Sequence, residues 1–164
     1  MTNGGEQAGG PIGRVTRHLE QEGIEFEVVE HAKRLSAASE AQAAGVSPDH
    51  AAKTVLLRDD SGYRLAVIPA SERLDLRKVR ELLEEGKDVR LATEDEMEAD
   101  FKHFELGAIP PLGEMIPAPE IVDRRLLEHE RILCNGGDHE HSLLIDPREI
   151  LRLSGAESAD ICQD

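Results

Sequence analysis

Apolar and polar positions change period several times along the chain, and each change predicts an element. Ile12, Val15 and Leu19 recur at helical spacing and Gly23 stands where a left-handed C-terminal cap belongs, which predicts a first helix starting at Ile12. Ile24, Phe26 and Val28 then alternate with Glu25 and Glu27, the period-two pattern of a half-buried strand. Ser36 caps a short alanine-rich helix that stops at Gly45, and Ser47-Pro48 opens a second, brief one. The apolar runs 54–58 and 63–68 flank Asp59-Asp60-Ser61-Gly62, so they pair as a β-hairpin whose second strand ends at Pro69. Asp75 caps a helix carrying Val79, Leu82 and Leu83 and closing at Gly86. Val89 and Leu91 alternate as a short strand, and Thr93 with Glu96 forms a capping box for another helix. Strands are expected around Ile121-Val122, at 131–134 and at 142–145. Asp146-Pro147 with Glu149 starts a last helix that ends at Gly155.

Strands separated by short helices, one hairpin among them, predict a mixed α/β (α+β) domain: a curved mixed β-sheet or partial barrel with surrounding short helices, rather than a doubly wound sheet. Residues 1–11 hold four of the fourteen glycines and no periodic pattern, so they read as a flexible leader to a domain at 12–155, with 156–164 as a C-terminal tail. The length of 164 residues and a hydrophobic content of 39% suit a single core. No apolar run approaches the roughly 20 residues of a membrane span, and the N-terminus is not a basic region followed by an apolar one. Cys134 and Cys162 are too few for a disulfide framework, so a reducing, cytoplasmic setting is expected.

Charge narrows the partners. With 19 Lys+Arg against 34 Asp+Glu the net charge is −15, which excludes coating a polyanion over a large surface and leaves only local nucleic-acid contacts. The basic run 73–80, with Arg73, Arg77 and Lys78, is interrupted by apolar residues at helical spacing and reads as a solvated helix face or a local phosphate contact. There is no G-x-G-x-x-G, no Walker loop and no internal repeat, so no cofactor is expected.

Three places could carry chemistry. Lys53 begins the strand 54–58, where a long cation can reach from a sheet edge into a cleft to anchor a phosphate or polarise a carbonyl; a lone lysine is more often a solvated surface charge. In the stretch 135–141, the pair Gly136-Gly137 frees backbone N–H groups for an oxyanion, while Asp138 and His139 can order a water or hold a hydroxyl. The same stretch could be a plain polar hairpin loop. It could also be a metal site, with His139 and His141 on one strand face and His103 or an acidic residue completing the set. The third place is the segment 106–113, where adjacent prolines between glycines fix an irregular backbone; it makes a pocket wall of set size or a tight connection. Cys134, inside an apolar run, reads as a core residue rather than a nucleophile.

Taken in order, Glu30-His31, Ala52-Lys53-Thr54-Val55-Leu56-Leu57, Leu65-Ala66-Val67-Ile68-Pro69-Ala70, Phe104-Glu105-Leu106-Gly107-Ala108-Ile109-Pro110-Pro111 and Ile132-Leu133-Cys134-Asn135-Gly136-Gly137 resemble the YbaK family from about Ile12 to Gly155. This is the family of aminoacyl-tRNA deacylases that also supplies the editing domain inserted in some bacterial prolyl-tRNA synthetases. The resemblance implies a freestanding editing enzyme that hydrolyses mischarged tRNA, with the tRNA acceptor end as partner and a synthetase or an elongation factor as a candidate carrier. It carries Lys53 onto the family's lysine, Gly107 and Pro110 onto its Gly-x-x-Pro loop, Gly137 onto the glycine of its last loop, and His139 onto a position where some members have a functional histidine. Lys53, Gly107, Gly137 and His139 are thus the expected catalytic set, and Thr54, Ile109, Pro110 and Asp138 the expected substrate contacts, with no metal. Cys134 stands where the family often has a large apolar residue, and Gly136 where it usually has alanine. The chemistry agrees with the missing nucleophile: an aminoacyl ester is already activated, so orienting water and stabilising the oxyanion suffice. A rigid Gly-Pro wall excludes large side chains, which favours alanine, cysteine or serine as substrate. Two other classes compete, a non-catalytic binding module for a nucleotide, an amino acid or a protein partner, and a metal-dependent hydrolase using His139 and His141.

Overall fold

The computed structural model describes residues 9–83, 88–116 and 118–164. In chain order the elements are α1 (Gly10–Gln21), β1 (Phe26–Glu30), α2 (Ala37–Ala44), β2 (Ala52–Asp59), β3 (Gly62–Pro69), α3 (Leu76–Leu82), β4 (Arg90–Leu91), α4 (Glu94–Asp100), β5 (Glu120–Asp123), β6 (Ile132–Asn135), β7 (His141–Ile145), α5 (Pro147–Ser154) and β8 (Glu157–Ala159), with single 3₁₀ turns at Pro48–His50, Gly113–Met115 and Arg124–Glu128. The expected mixed α/β architecture is present, and its strands divide into two sheets without closing into a barrel. One is ordered β1-β7-β6 and wholly antiparallel; the other, β4-β2-β3-β5-β8, adds β5 and β8 in parallel to an antiparallel hairpin.

Local signals explain the boundaries. Ser36 and Ser39 form a reciprocal capping box and Gly45 closes α2 with φ +72°. Asp75, Thr93 and Asp146 cap α3, α4 and α5 through their side chains, and Gly155 ends α5 at φ +67°. The hairpin is tighter than the four-residue turn expected, because Asp59 accepts from the N–H groups of Ser61 and Gly62 and so extends both strands to a two-residue loop. Helix α1 begins two residues before Ile12, with Pro11 in its first turn. The expected α3 stop at Gly86 lies outside the described residues.

The period of two in β2 and β3 sorts their side chains into two cores. Leu56, Leu65 and Val67 face the larger one with Ile12, Val15 and Leu19 of α1, Ile132 and Cys134 of β6, and Ile109 and Leu112 of the segment before β5. Leu57, Ala66 and Ile68 face the smaller one with Val79, Val89, Ile161 and Cys162. Each such buried aliphatic side chain contributes about 1.5–3 kcal/mol. A parallel bridge between Ala51 and Leu133 joins the sheets where β2 begins, packed on Ala41 of α2.

The segment 156–164 packs within the fold rather than trailing from it. Strand β8 pairs with β5, Ile161 and Cys162 are fully buried, and Leu74 bridges to Cys162. The fully buried carboxylate of Asp123 accepts from the Ile161 N–H at 2.9 Å and from the Arg125 guanidinium at 3.1 Å. This edge strand is polar outside its contacts, so no alternation announced it. Replacing Asp123 by alanine leaves the buried Ile161 N–H without an acceptor, and urea unfolding is expected to show a loss of about 2 kcal/mol.

Candidate functional site

Two glycine turns meet beside α1. The first joins β6 to β7, where Gly137 has φ +100° and a Cβ there would lie 2.8 Å from Pro11 Cβ and 3.1 Å from Phe104 Cδ1, so both backbone sign and space require glycine. Gly136 is needed for close approach instead: a Cβ would stand 2.9 Å from the His141 carbonyl oxygen that its own N–H bonds at 3.1 Å. The second turn is at Gly107, with φ +81°, followed by the buried run 108–113. The turns are bonded to each other. Glu105 N–H donates to the Gly137 carbonyl at 2.8 Å, the Glu105 carboxylate accepts from His139 N–H at 2.9 Å, and His139 Nε2 lies 2.7 Å from the Leu106 carbonyl oxygen.

That last bond sets the chemistry of the ring. A carbonyl oxygen only accepts, so Nε2 carries the proton, and in the neutral imidazole Nδ1 is a bare acceptor. Nδ1 is buried with no partner, in a side chain only 7% exposed. The N–H groups of Gly107 and Gly137 make no hydrogen bond among the described residues, and a Cβ at Gly107 would stand 3.8 Å from His139 Cε1. The Glu105 and Leu106 bonds thus bring the turn at Gly107 against the turn that holds Gly137, Asp138 and His139. Asp138 accepts from Glu140 N–H and from His141 Nδ1, the latter 2.9 Å from both carboxylate oxygens. His139 and His141 thus do not share a strand face: one is in the loop and bonded to a carbonyl, the other begins β7 and is bonded to a carboxylate. Among the described residues they do not belong to a group of three or more side chains whose ligand atoms lie within reach of one ion.

Behind the loop lies a polar network that sequence reasoning missed. Glu40 of α2 is 3% exposed; it accepts from Ser142 Oγ at 3.0 Å, and Ser142 Oγ is 2.9 Å from His31 Nε2. With its amide nitrogen turned toward the carboxylate, Asn135 donates to both Glu40 oxygens at 3.0 and 3.2 Å. Burial pushes the Glu40 carboxyl above its ordinary range, while the Ser142 hydrogen bond and the nearby His31 and His139 act against this. The available signal was that Glu40 shares the helical stripe of Ala41 and Ala44, which packs on β6.

Lys53 does not join this cluster. It pairs with Ile68, so alternation sets it on the face of the smaller core, where its ammonium donates to the Glu72 carbonyl at 3.3 Å. Thr54 faces the opposite way, and its hydroxyl is buried without a partner. The Ala51–Leu133 bridge is parallel, so Lys53 and Asn135, each two residues further on, run in the same direction from it. Ile109 and Pro110 form a buried wall, and Ile109 also lines a groove of about 320 Å³ with Met97, Phe101, Phe104 and Leu106.

Comparison with known proteins shows the family of the chain. A family described as the aminoacyl-tRNA editing domain matches residues 31–153, from His31 through Glu40, Lys53 and both glycine turns. The chain belongs to that family. Its fold is similar to a solved structure described as a candidate trans-editing enzyme for prolyl tRNA synthetase, with a TM-score of 0.83 and 29% identity over 96% of this chain and 100% of the other. A scaffold used for computational epitope grafting is similar at TM-score 0.84 and 29% identity over 96% of this chain and 99% of the other. A signal transduction candidate from Marinobacter aquaeolei VT8, at 21% identity and TM-score 0.70, covers 92% of this chain but only 31% of its own, and shares the fold.

Other features of the editing domain bear on the site. Burial pushes the Cys134 thiol far above its ordinary value and the Cys162 thiol up to about 12, as fits core residues. The basic run on α3 is largely self-neutralised. Lys78 bonds Asp160, Asp164 and the Cys162 carbonyl, and Arg77 pairs with Glu81 and Asp75. Lys33 and Arg34, by contrast, are exposed without ion pairs among the described residues, and the Arg34 N–H is bonded to the His139 carbonyl at 2.9 Å. Among the described residues no helix is long and apolar enough to cross a membrane.

The far end of the 106–113 wall is clamped by Glu120, 4% exposed, whose carboxyl accepts from the Gly113 N–H at 2.8 Å. Burial, with the Glu114 charge nearby, raises the Glu120 pKa from 4.5 to about 8. A folded-state pKa above the unfolded one means the contribution to stability is complete below pH 4.5 and is lost as pH rises through about 8. Urea unfolding across that window is expected to show stability falling with pH in the wild type and a flatter profile in Glu120→Gln, which keeps an acceptor for Gly113.

Proposed function

We propose that this editing domain is a freestanding, trans-acting aminoacyl-tRNA deacylase that hydrolyses the ester of tRNA mischarged with a small amino acid such as alanine, cysteine or serine. The observation that carries the reading is the buried Nδ1 of His139, without a partner among the described residues, at the junction of two glycine turns whose N–H groups likewise make no bond among them. Nδ1 accepts a proton from the attacking water, directly or through the terminal ribose hydroxyl. The water oxygen bonds to the ester carbonyl carbon, and the N–H groups of Gly107 and Gly137 hold the oxyanion. The carbon–oxygen bond to the ribose then breaks and the ribose oxygen takes the proton, releasing the amino acid and tRNA. The buried wall of Ile109 and Pro110 limits the side chain that fits. Asp138 holds the turn through His141 and Glu140, and Thr54 offers its free hydroxyl to the substrate.

Lys53 anchors the acceptor end rather than the carbonyl. Its single bond to the Glu72 carbonyl leaves ammonium donors for a phosphate, and it lies on the other sheet face from the larger core. Lys33 and Arg34 supply further cations beside the His139 loop. The likeness to a candidate trans-editing enzyme for prolyl tRNA synthetase over nearly the whole chain supports action in trans. The free tRNA, or one delivered by a synthetase or an elongation factor, is the partner in this reading.

Deacylation of Ala-tRNA(Pro), Cys-tRNA(Pro), Ser-tRNA(Ala) and Pro-tRNA(Pro) tests the assignment. Selective hydrolysis of one mischarged species is expected, with kcat reduced about 10²–10⁴-fold in His139→Ala and with KM raised in Lys53→Ala. Hydrolysis of none of them, by protein of native circular dichroism, would favour a binding module of the same fold. A separate expectation concerns Lys33→Glu combined with Arg34→Glu: KM rises and its dependence on salt concentration becomes shallower, with kcat at saturation unchanged.

A further inference from the structure

Asp49, His50 and His129 lie outside the glycine-turn cluster and take no part in the proposed hydrolysis. Asp49 and His50 belong to the 3₁₀ turn Pro48–His50 that leads into β2, and His129 follows the turn Arg124–Glu128 that leads toward β6. Their ligand atoms all lie within 4.8 Å of one another, the two imidazole centroids are 3.8 Å apart with ring planes tilted by 36°, and His50 Nδ1 is 3.5 Å from Asp49 Oδ1. Neither imidazole makes another side-chain hydrogen bond among the described residues. The Ser47 hydroxyl donates to the Asp49 carboxylate and holds it beside His50.

We propose that these three side chains form a site for a divalent metal ion of borderline softness, with zinc as the type. Two imidazoles and one carboxylate are a donor set that zinc accepts, with bonds of about 2.0–2.1 Å and a fourth position left to water. Donors around a tetrahedral ion at that distance stand about 3.3 Å apart. The 3.5 Å between Asp49 and His50 already matches such an edge, and the remaining separations, within 4.8 Å, close by side-chain rotation in half-buried and exposed residues. A hard ion such as magnesium, which prefers oxygen ligands, fits this set poorly. The ion ties the chain entering β2, three residues before Lys53, to the chain entering β6, which ends in the glycine turn. It fastens the two sheets from outside at the point where the Ala51–Leu133 bridge joins them.

The test uses full-length protein treated with chelator and dialysed, titrated calorimetrically with zinc chloride and followed by thermal unfolding. One ion per chain is expected, with Tm raised by roughly 5–10 °C at about 100-fold excess over Kd. His50→Ala and His129→Ala should each weaken binding at least about tenfold and abolish the Tm shift. His141→Ala should bind as the wild type does, because that ring belongs to the other cluster. All three residues are at least partly exposed, so these variants should fold, as circular dichroism would verify. Absence of binding, or binding that survives His50→Ala and His129→Ala but is lost in His141→Ala, overturns the proposal.

Discussion

The bond between His139 Nε2 and the Leu106 carbonyl is the constraint on which the rest of the site depends. It joins two segments that are far apart in the chain and fixes which ring nitrogen carries the proton. It also holds the imidazole in van der Waals distance of Gly107, where an added Cβ would stand 3.8 Å from Cε1. Either turn without the other would be an ordinary loop. Together they leave, among the described residues, a buried acceptor nitrogen and two N–H donors without partners, Gly137 being buried and Gly107 exposed. Unpartnered polar groups cost about 1–3 kcal/mol each when buried, so a fold that keeps them without partners is holding them for a ligand or for water.

Buried carboxyls carry the same cost at the back and the end of the site. Glu40 sits beneath the β6–β7 turn with Ser142 and Asn135 as donors, and Glu120 clamps the end of the Gly-Pro wall through Gly113. Neither would be needed for a core made only of aliphatic residues, and replacing such groups by well-packed apolar ones is often neutral or stabilising. Their presence is intelligible if what matters is position. Glu40 fixes Asn135, the residue before the glycine pair, while Glu120 fixes the last residue of the wall, so both ends of the pocket are held by directional bonds rather than by packing alone.

Element order was legible because caps and turns are local chemistry. Ser36, Asp75, Thr93 and Asp146 act through their own side chains on the next few N–H groups, and the alternation in 54–58 and 63–68 follows from one buried face and then another. The glycine turns were legible for the same reason. What escaped was set by tertiary contact. The segment 156–164 has only Ala156, Ala159, Ile161 and Cys162 as apolar residues, in no strand or helix period, and pairing with β5 and the bond to the buried Asp123 make it part of the domain. Glu40 looks like any acid on a short helix until Ser142 and Asn135 arrive from other strands. Lys53 is a single residue whose side of the sheet depends on register, and register shows only once Ala52 is known to oppose Pro69.

The same reasoning resolves the tension between a charge of −15 and a polyanionic partner. Net charge governs long-range steering, whereas attraction at a surface is set by charges within a screening length of about 8–10 Å. On α3, Lys78 and Arg77 are matched by Asp160, Asp164, Glu81 and Asp75, and Arg80 is turned to the Val89 carbonyl, so that face presents less positive potential than its sequence implies. Beside the His139 loop, Lys33 and Arg34 are exposed and without ion pairs among the described residues, while Asp138 is buried against His141 and the exposed Glu105 is bonded to the His139 N–H. Burial of Asp138 against the His141 ring keeps that acid from the surface the two cations share. A chain acidic overall can in this way offer two unneutralised cations at one place and repel elsewhere, which would confine a nucleic acid to a local contact.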